Sequence, residues 1–149
     1  MKSSSDTRTA QNVNEESIFS LLKAAHALEE RLETILGTVG LSGPKFSVLN
    51  VLATEKEPIA LGELADRLSC VKSNATQMID RLEADGLVRR VSDPDDRRSV
   101  RAEVTPTGRE LHAKGAALIA GLEAQFSEAV EAEDRSAVGR MLRAIDSTD

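Results

Sequence analysis

Apolar residues recur at intervals of three and four from Ile18 to Val39, through Leu21, Leu22, Ala25, Leu28, Leu32, Ile35 and Leu36. That spacing lines one face of an α-helix and predicts a helix from Glu15 to about Val39, with Gly37 and Gly40 marking its end. Residues 1–14 (MKSSSDTRTAQNVN) are polar and aperiodic and read as a disordered tail. In Leu41-Ser42-Gly43-Pro44, Ser42 is placed to cap a second helix and Pro44 to occupy its first turn. Phe46, Leu49, Val51 and Leu52 give that helix its apolar side, and the polar break Glu55-Lys56-Glu57-Pro58 follows. A short third helix carries Leu61, Leu64, Ala65 and Leu68. A fourth runs from Lys72 to about Asp85, turning Ala75, Met78, Ile79 and Leu82 inward and stopping at Gly86.

Beyond Gly86 the period changes. Leu87 to Val91 and Val100 to Val104 are short β-prone runs, the second alternating apolar and charged. Between them, Ser92-Asp93-Pro94-Asp95-Asp96-Arg97-Arg98-Ser99 is turn chemistry with two arginines at its end. Thr105-Pro106 then opens a helix to about Ala129 through Leu111, Leu118, Leu122 and Phe126, and a last helix starts near Asp134 with Val138, Met141, Leu142 and Ile145. The fold class is mostly α with a small β-hairpin. Segments 61–104 spell helix–turn–helix followed by a two-stranded wing, so 41–105 reads as a winged helix–turn–helix unit flanked by helical regions 15–40 and 106–149. The terminal helices hold more apolar surface than this unit can bury, which predicts a homodimer held by those helices.

Composition narrows the function. Of 149 residues, 40% are hydrophobic and only 2% aromatic, so the core is aliphatic. Cys70 is the single cysteine, which excludes an internal disulfide, and with His26 and His112 far apart no metal-ligand set forms. No nucleophile–base pair, paired carboxylates or phosphate-binding glycine loop points to an enzyme, and no cofactor is implied. No apolar run reaches membrane-spanning length, and the N-terminus lacks a signal-peptide stretch, so the expected setting is the cytoplasm. The net charge of −6 is unevenly spread: residues 67–109 carry nine basic and seven acidic side chains, whereas both flanks are net acidic. A basic centre in an acidic frame is compatible with a phosphate-rich partner, because the local field governs that contact.

The fourth helix turns Lys72, Ser73, Asn74, Thr76, Gln77 and Arg81 outward. Each can donate a hydrogen bond to a phosphate or a base edge, and none is acidic. A solvated helix face would look the same. The hairpin breaks the tie: Arg97, Arg98 and Arg101 stand on or beside its tip, where they support no core and suit a narrow minor groove. Asp96 is two residues before Arg98 and is expected to orient its guanidinium. Double-stranded DNA is therefore the partner these residues imply, with a helical protein–protein adapter as the competing reading. Cys70, in the turn before the fourth helix, reads either as a small packed residue or as a site of oxidant sensing.

The stretch VKSNATQMIDRLEADGLVRRVSDPDDRRSVRAEVTPTGREL resembles the centre of the MarR family of bacterial regulators. Asp80-Arg81-Leu82, Gly86-Leu87-Val88, Asp93-Pro94-Asp95-Asp96-Arg97-Arg98 and Val104-Thr105-Pro106-Thr107-Gly108 carry the resemblance. Val104 replaces a common leucine, and Val71 stands where a serine often begins the recognition helix. The resemblance implies a homodimeric repressor on a pseudo-palindromic operator, with recognition helices in major grooves and wing arginines in minor grooves. It also implies release by a small aromatic effector or by cysteine oxidation.

Overall fold

The computed structural model describes residues 6–146 apart from 97 and 131. Helix α1 (Asp6–Gly37) leads into α2 (Gly43–Thr54), a two-residue strand β1 (Ile59–Ala60), α3 (Leu61–Arg67) and α4 (Lys72–Ala84). Strands β2 (Val88–Ser92) and β3 (Val100–Val104) form the hairpin, and α5 (Pro106–Ala129) and α6 (Ala132–Asp146) complete the chain. Helix α1 begins upstream of the predicted Glu15, so residues 6–14 of the expected tail are helical; residues 1–5 lie outside the described residues. Asp6 to Glu15 contains neither proline nor glycine, and a helix nucleated downstream extends through such a segment at little cost.

The local chemistry behaves as the residue types dictate. Ser42 caps α2 with its hydroxyl oxygen accepting from the Lys45 N–H, and Pro44 sits in the first turn. Gly86 adopts the left-handed conformation (φ 72°) that ends α4 and swings the chain into β2. The Thr105 hydroxyl accepts from the Gly108 N–H at 3.0 Å and donates to the Gly86 carbonyl at 2.8 Å, so one side chain caps α5 and anchors it to the end of α4. Between α3 and α4, Ser69 holds a left-handed φ of 50°, and the Cys70 N–H closes the turn on the Ala65 carbonyl at 3.0 Å.

β1 was not legible as a strand. It joins β3 antiparallel, with Ile59 opposite Ala102 and Ala60 opposite Arg101, giving a three-stranded sheet in the order β1-β3-β2. The hairpin pairs Val88 with Val104, Arg89 with Glu103 and Ser92 with Val100.

Helix α2 is the hub, packing against α1, α3, α4, α5 and β3. Its Val48, Leu49 and Leu52 meet Leu36, Leu41, Ile59, Leu64, Ile79, Leu82, Leu87, Val88, Ala102 and Val104 in one buried cluster. Each of its leucine, isoleucine and valine side chains contributes roughly 1.5–3 kcal/mol relative to exposure. Among the buried members only Leu36 comes from α1 and none from α5; these helices instead pack partly buried Ile35, Leu111 and Ile119 against the cluster. On the terminal helices Ile18, Phe19, Leu22, Leu28, Phe126, Val138 and Met141 stand exposed in the single chain. Among the described residues no helix is long and apolar enough to cross a membrane.

Candidate nucleic-acid interface

Ala75, Ile79 and Leu82 are the buried residues of α4, spaced four and three apart, so the helix lies on the core along one narrow stripe. The opposite side leaves Lys72, Ser73, Asn74, Gln77 and Arg81 exposed, as the sequence predicts. Thr76 is half-buried, and its hydroxyl donates to the Lys72 carbonyl at 3.0 Å, so its hydrogen is turned back into the helix.

Two bridges fix the helix in place. Lys45 Nζ on α2 lies 2.7 Å from Asp85 Oδ2 at the C-terminal end of α4. Arg90 on β2 spans back to α4, donating from Nη2 to Asp80 Oδ1 and from Nη1 to Glu83 Oε2, both at 2.5 Å. Glu83 also accepts from the Arg90 N–H at 3.1 Å. Burial works against the charge on Arg90, and the hydrogen bonds it donates to Asp80 and Glu83 outweigh it, so its pKa is raised. The two carboxylates that α4 does carry are thus turned toward the sheet. Their spacing of three, with an arginine seven residues beyond, was the sequence signal for this clamp.

The wing loop is organised by acids. Asp93 is buried, at 7% exposure, and one of its oxygens accepts from the Asp95 N–H at 2.9 Å. Its other oxygen accepts from Arg101 Nε at 2.6 Å. The Asp95 N–H first, and then Arg101, hold the Asp93 carboxyl below the usual carboxylate range. Arg101, grouped by the sequence with the wing contacts, sits on the middle strand with its guanidinium committed to Asp93 and, at 3.2 Å, to the Pro58 carbonyl. Asp96 also departs from expectation: its Oδ1 accepts from the main-chain N–H of Arg98 at 2.9 Å rather than from the guanidinium. An aspartate two residues upstream reaches the backbone in an Asx turn more readily than a mobile arginine head. Arg98 itself is exposed at the tip; Arg97 lies outside the described residues.

These pairings sort the cations. Arg67 (with Glu55 and Glu63), Arg89 (with Glu103), Arg90 and Arg101 all have carboxylate partners. Lys72, Arg81 and Arg98 have none among the described residues. A recess of about 380 Å³ between the start of α4 and the wing is lined by Ala60, Leu61, Gly62, Lys72, Arg98, Ser99 and Val100. It brings together two unpaired cations that are distant in sequence.

Elsewhere, Cys70 is a half-buried free thiol in the turn before α4. His26 is exposed beside Glu29 and Glu30. His112 on α5 stacks on Phe46 of α2, ring centroids 5.3 Å apart, and its Nε2 lies 3.0 Å from Asn50 Oδ1. Burial first, and then the nearby Arg109 charge, lower the His112 pKa. A second recess, of about 410 Å³, lies between α1 and α5 among Leu28, Leu32, Ile119, Leu122 and Phe126.

A short helix, a tight turn, a proud second helix and a β-hairpin joined by a third strand make this unit a winged helix–turn–helix. The chain belongs to the MarR family, whose model matches residues 41–100. It is 35% identical over 104 residues to the HTH-type transcriptional regulator TtmR of Methylorubrum extorquens, covering 70% of this chain and 53% of that protein. The chain spans about half the length of the curated relatives it matches first. Among solved structures it resembles the transcriptional repressor CouR bound to a 23-mer DNA duplex, with TM-score 0.80, 30% identity, and coverage of 90% of this chain and 94% of that one. It also resembles the M. tuberculosis transcriptional regulator MOSR in complex with DNA, with TM-score 0.68, 26% identity, and coverage of 87% and 96%.

Proposed function

We propose that this chain is a sequence-specific DNA-binding regulator of transcription, a cytoplasmic repressor of the ligand-responsive type that grips a pseudo-palindromic operator as a homodimer. The observation that carries the reading is the sorting of cations: among the described residues Lys72, Arg81 and Arg98, on α4 and the wing, are without counter-charges, while neighbouring arginines are paired. A helical adapter without DNA binding gives those three charges no task.

In this reading Ser73, Asn74 and Gln77 meet base edges in the major groove, Gln77 being suited to a bidentate contact with adenine. Lys72 and Arg81 bind phosphates and set the register, while Thr76, its hydroxyl hydrogen committed to the Lys72 carbonyl, lines the same face. Arg98, with Arg97 beside it in sequence, enters the flanking minor groove. Asp96 shapes the turn that presents Arg98, and Arg101 positions the loop from the sheet.

One reader contacts too few base pairs for selectivity, so two act together about one helical turn apart, roughly 10 base pairs. The exposed apolar residues of α1, α5 and α6 support the pairing, since a monomer rarely leaves so much apolar surface in water. The recess between α1 and α5, about 410 Å³ and apolar, is within the size range that accommodates a small aromatic effector.

Selection of duplexes from a randomised pool with the full-length chain tests the proposal. The expected product is an inverted repeat with half-site centres about 10 base pairs apart; recovery of no enriched sequence would reject it.

A further inference from the structure

Val71 occupies the N-cap of α4 in an extended conformation (φ −72°, ψ 147°), and no side-chain hydrogen bond closes the helix there. Ser42 and Thr105 perform that closure on α2 and α5, whereas α3, like α4, starts on an apolar residue, Ala60, without a side-chain cap. Position 71 carries a β-branched apolar side chain that is 63% exposed. The other exposed large hydrophobics fall on α1, α5 and α6, the proposed dimer face, or on the wing strand as Val100. Val71 belongs to neither group. It directly precedes the exposed donors Lys72, Ser73 and Asn74.

The first turn of a recognition helix is the part that meets the base edges. Lys72, the next residue, lines a recess with Arg98 of the wing, and these two cations, without carboxylate partners among the described residues, make that end of α4 complementary to a polyanion. In a DNA major groove the apolar feature on a base edge is the C5-methyl group of thymine. We propose that Val71 is a specificity-determining residue that packs against a thymine methyl in each half-site. A serine here would cap the helix better; the valine gives up the cap and gains a methyl contact that serine cannot make. The inference rests on the DNA-binding reading above and extends it to a residue that donates no hydrogen bond.

The probe is the duplex selected from a randomised pool by the full-length chain. Each thymine of one half-site is replaced in turn by deoxyuracil, which removes the methyl and leaves the Watson–Crick edge intact. At one position the unsubstituted chain is expected to bind about fourfold more weakly, the factor carried by burial of one methyl-sized apolar group. Val71→Ser should bind the thymine and uracil duplexes equally while melting no lower than the parent, and Val71→Ile should retain the discrimination. Indifference of the parent chain to every replacement would overturn the assignment. So would a half-site without thymine, or an undiminished methyl effect in Val71→Ser. Failure to select any duplex would instead overturn the DNA-binding reading itself, which separates the two failures.

Discussion

Arg101 donates from Nε to the Asp93 carboxylate at 2.6 Å and from Nη1 to the Pro58 carbonyl at 3.2 Å, so a side chain on the middle strand pins the wing loop to the segment that enters β1. The hairpin and the segment before β1, remote from each other in sequence, meet at one guanidinium that satisfies a carboxylate and a carbonyl together. The wing thereby acquires a defined direction before it meets any partner.

Arg98 and Arg101 should accordingly fail in different ways. Arg98→Ala is expected to lower DNA affinity by about 1–3 kcal/mol with an unchanged melting temperature, because an exposed, unpaired side chain leaves nothing behind. Arg101→Ala should lower both, since it leaves the buried Asp93 carboxylate uncompensated. Thermal melts alongside anisotropy titrations separate the two.

The Arg90 clamp gives a second prediction. Arg90→Met keeps the aliphatic bulk and removes the bonds to Asp80 and Glu83. A double-mutant cycle with Asp80→Asn should show a coupling of about 0.5–1 kcal/mol in stability, as for a partly exposed pair. Sequence-specific binding should suffer more than binding to arbitrary duplex, because the clamp fixes the angle of α4. Equal losses on both duplexes would reduce Arg90 to a surface pair.

Acid should weaken the fold in two windows. His112 has a folded pKa below its ordinary 6.5, so as pH falls through 6.5 the unfolded chain takes up the proton first and stability drops. The loss ends once pH passes the lower folded value, and His112→Gln should remove it. Asp93 has a folded pKa below its ordinary 3.8, so its contribution is present above 3.8 and is lost as pH falls below it. Asp93→Asn should flatten that lower window. Denaturant titrations at a series of pH values would show both.

Close backbone approach at Gly108 is checkable in one substitution. A Cβ there would lie 2.1 Å from the Leu87 carbonyl oxygen and 2.7 Å from Val104 Cγ2. Gly108→Ala should therefore cost at least roughly 1–3 kcal/mol through overpacking. Gly37→Ala, with nothing within 4 Å of the added atom, should change little.

What the sequence revealed follows from the range of the interactions involved. Ser42, Gly86 and Thr105 start or stop helices within a few residues of their own positions, and those capping roles were readable from spacing alone. The exposed face of α4 was equally legible, since helical periodicity determines which side of Ala75, Ile79 and Leu82 faces outward. β1 was not, because two residues after Pro58 show no period and become a strand only by pairing with Ala102 and Arg101. The same register decides that Arg101 turns to Asp93 while Arg98 remains at the tip. Nothing local distinguishes the two arginines, because the Pro58 carbonyl lies 43 residues away along the chain. Asp96 was read as a partner for a guanidinium when its reach is to the backbone two residues on. The start of α1 was missed because a polar segment without breakers looks like a tail and propagates like a helix.

The proposed dimer rests on the terminal helices. Truncation before Asp134 removes Val138 and Met141, both exposed in the single chain, and should abolish dimerisation and specific DNA binding together. Light scattering of the full-length and truncated chains measures the first, and anisotropy on the selected duplex the second. A monomeric full-length chain at micromolar concentration that still bound an inverted repeat tightly would contradict the architecture.

The most direct test of DNA gripping by α4 and the wing is the salt dependence of binding to the selected duplex. The parent chain should lose affinity steeply and linearly in log–log form as salt rises, the signature of counterion release. Lys72→Ala and Arg98→Ala should each reduce the slope by about one, since each removes one proposed charged contact with DNA. Affinity insensitive to salt, or slopes unchanged in both variants, would contradict the assignment of these cations to DNA.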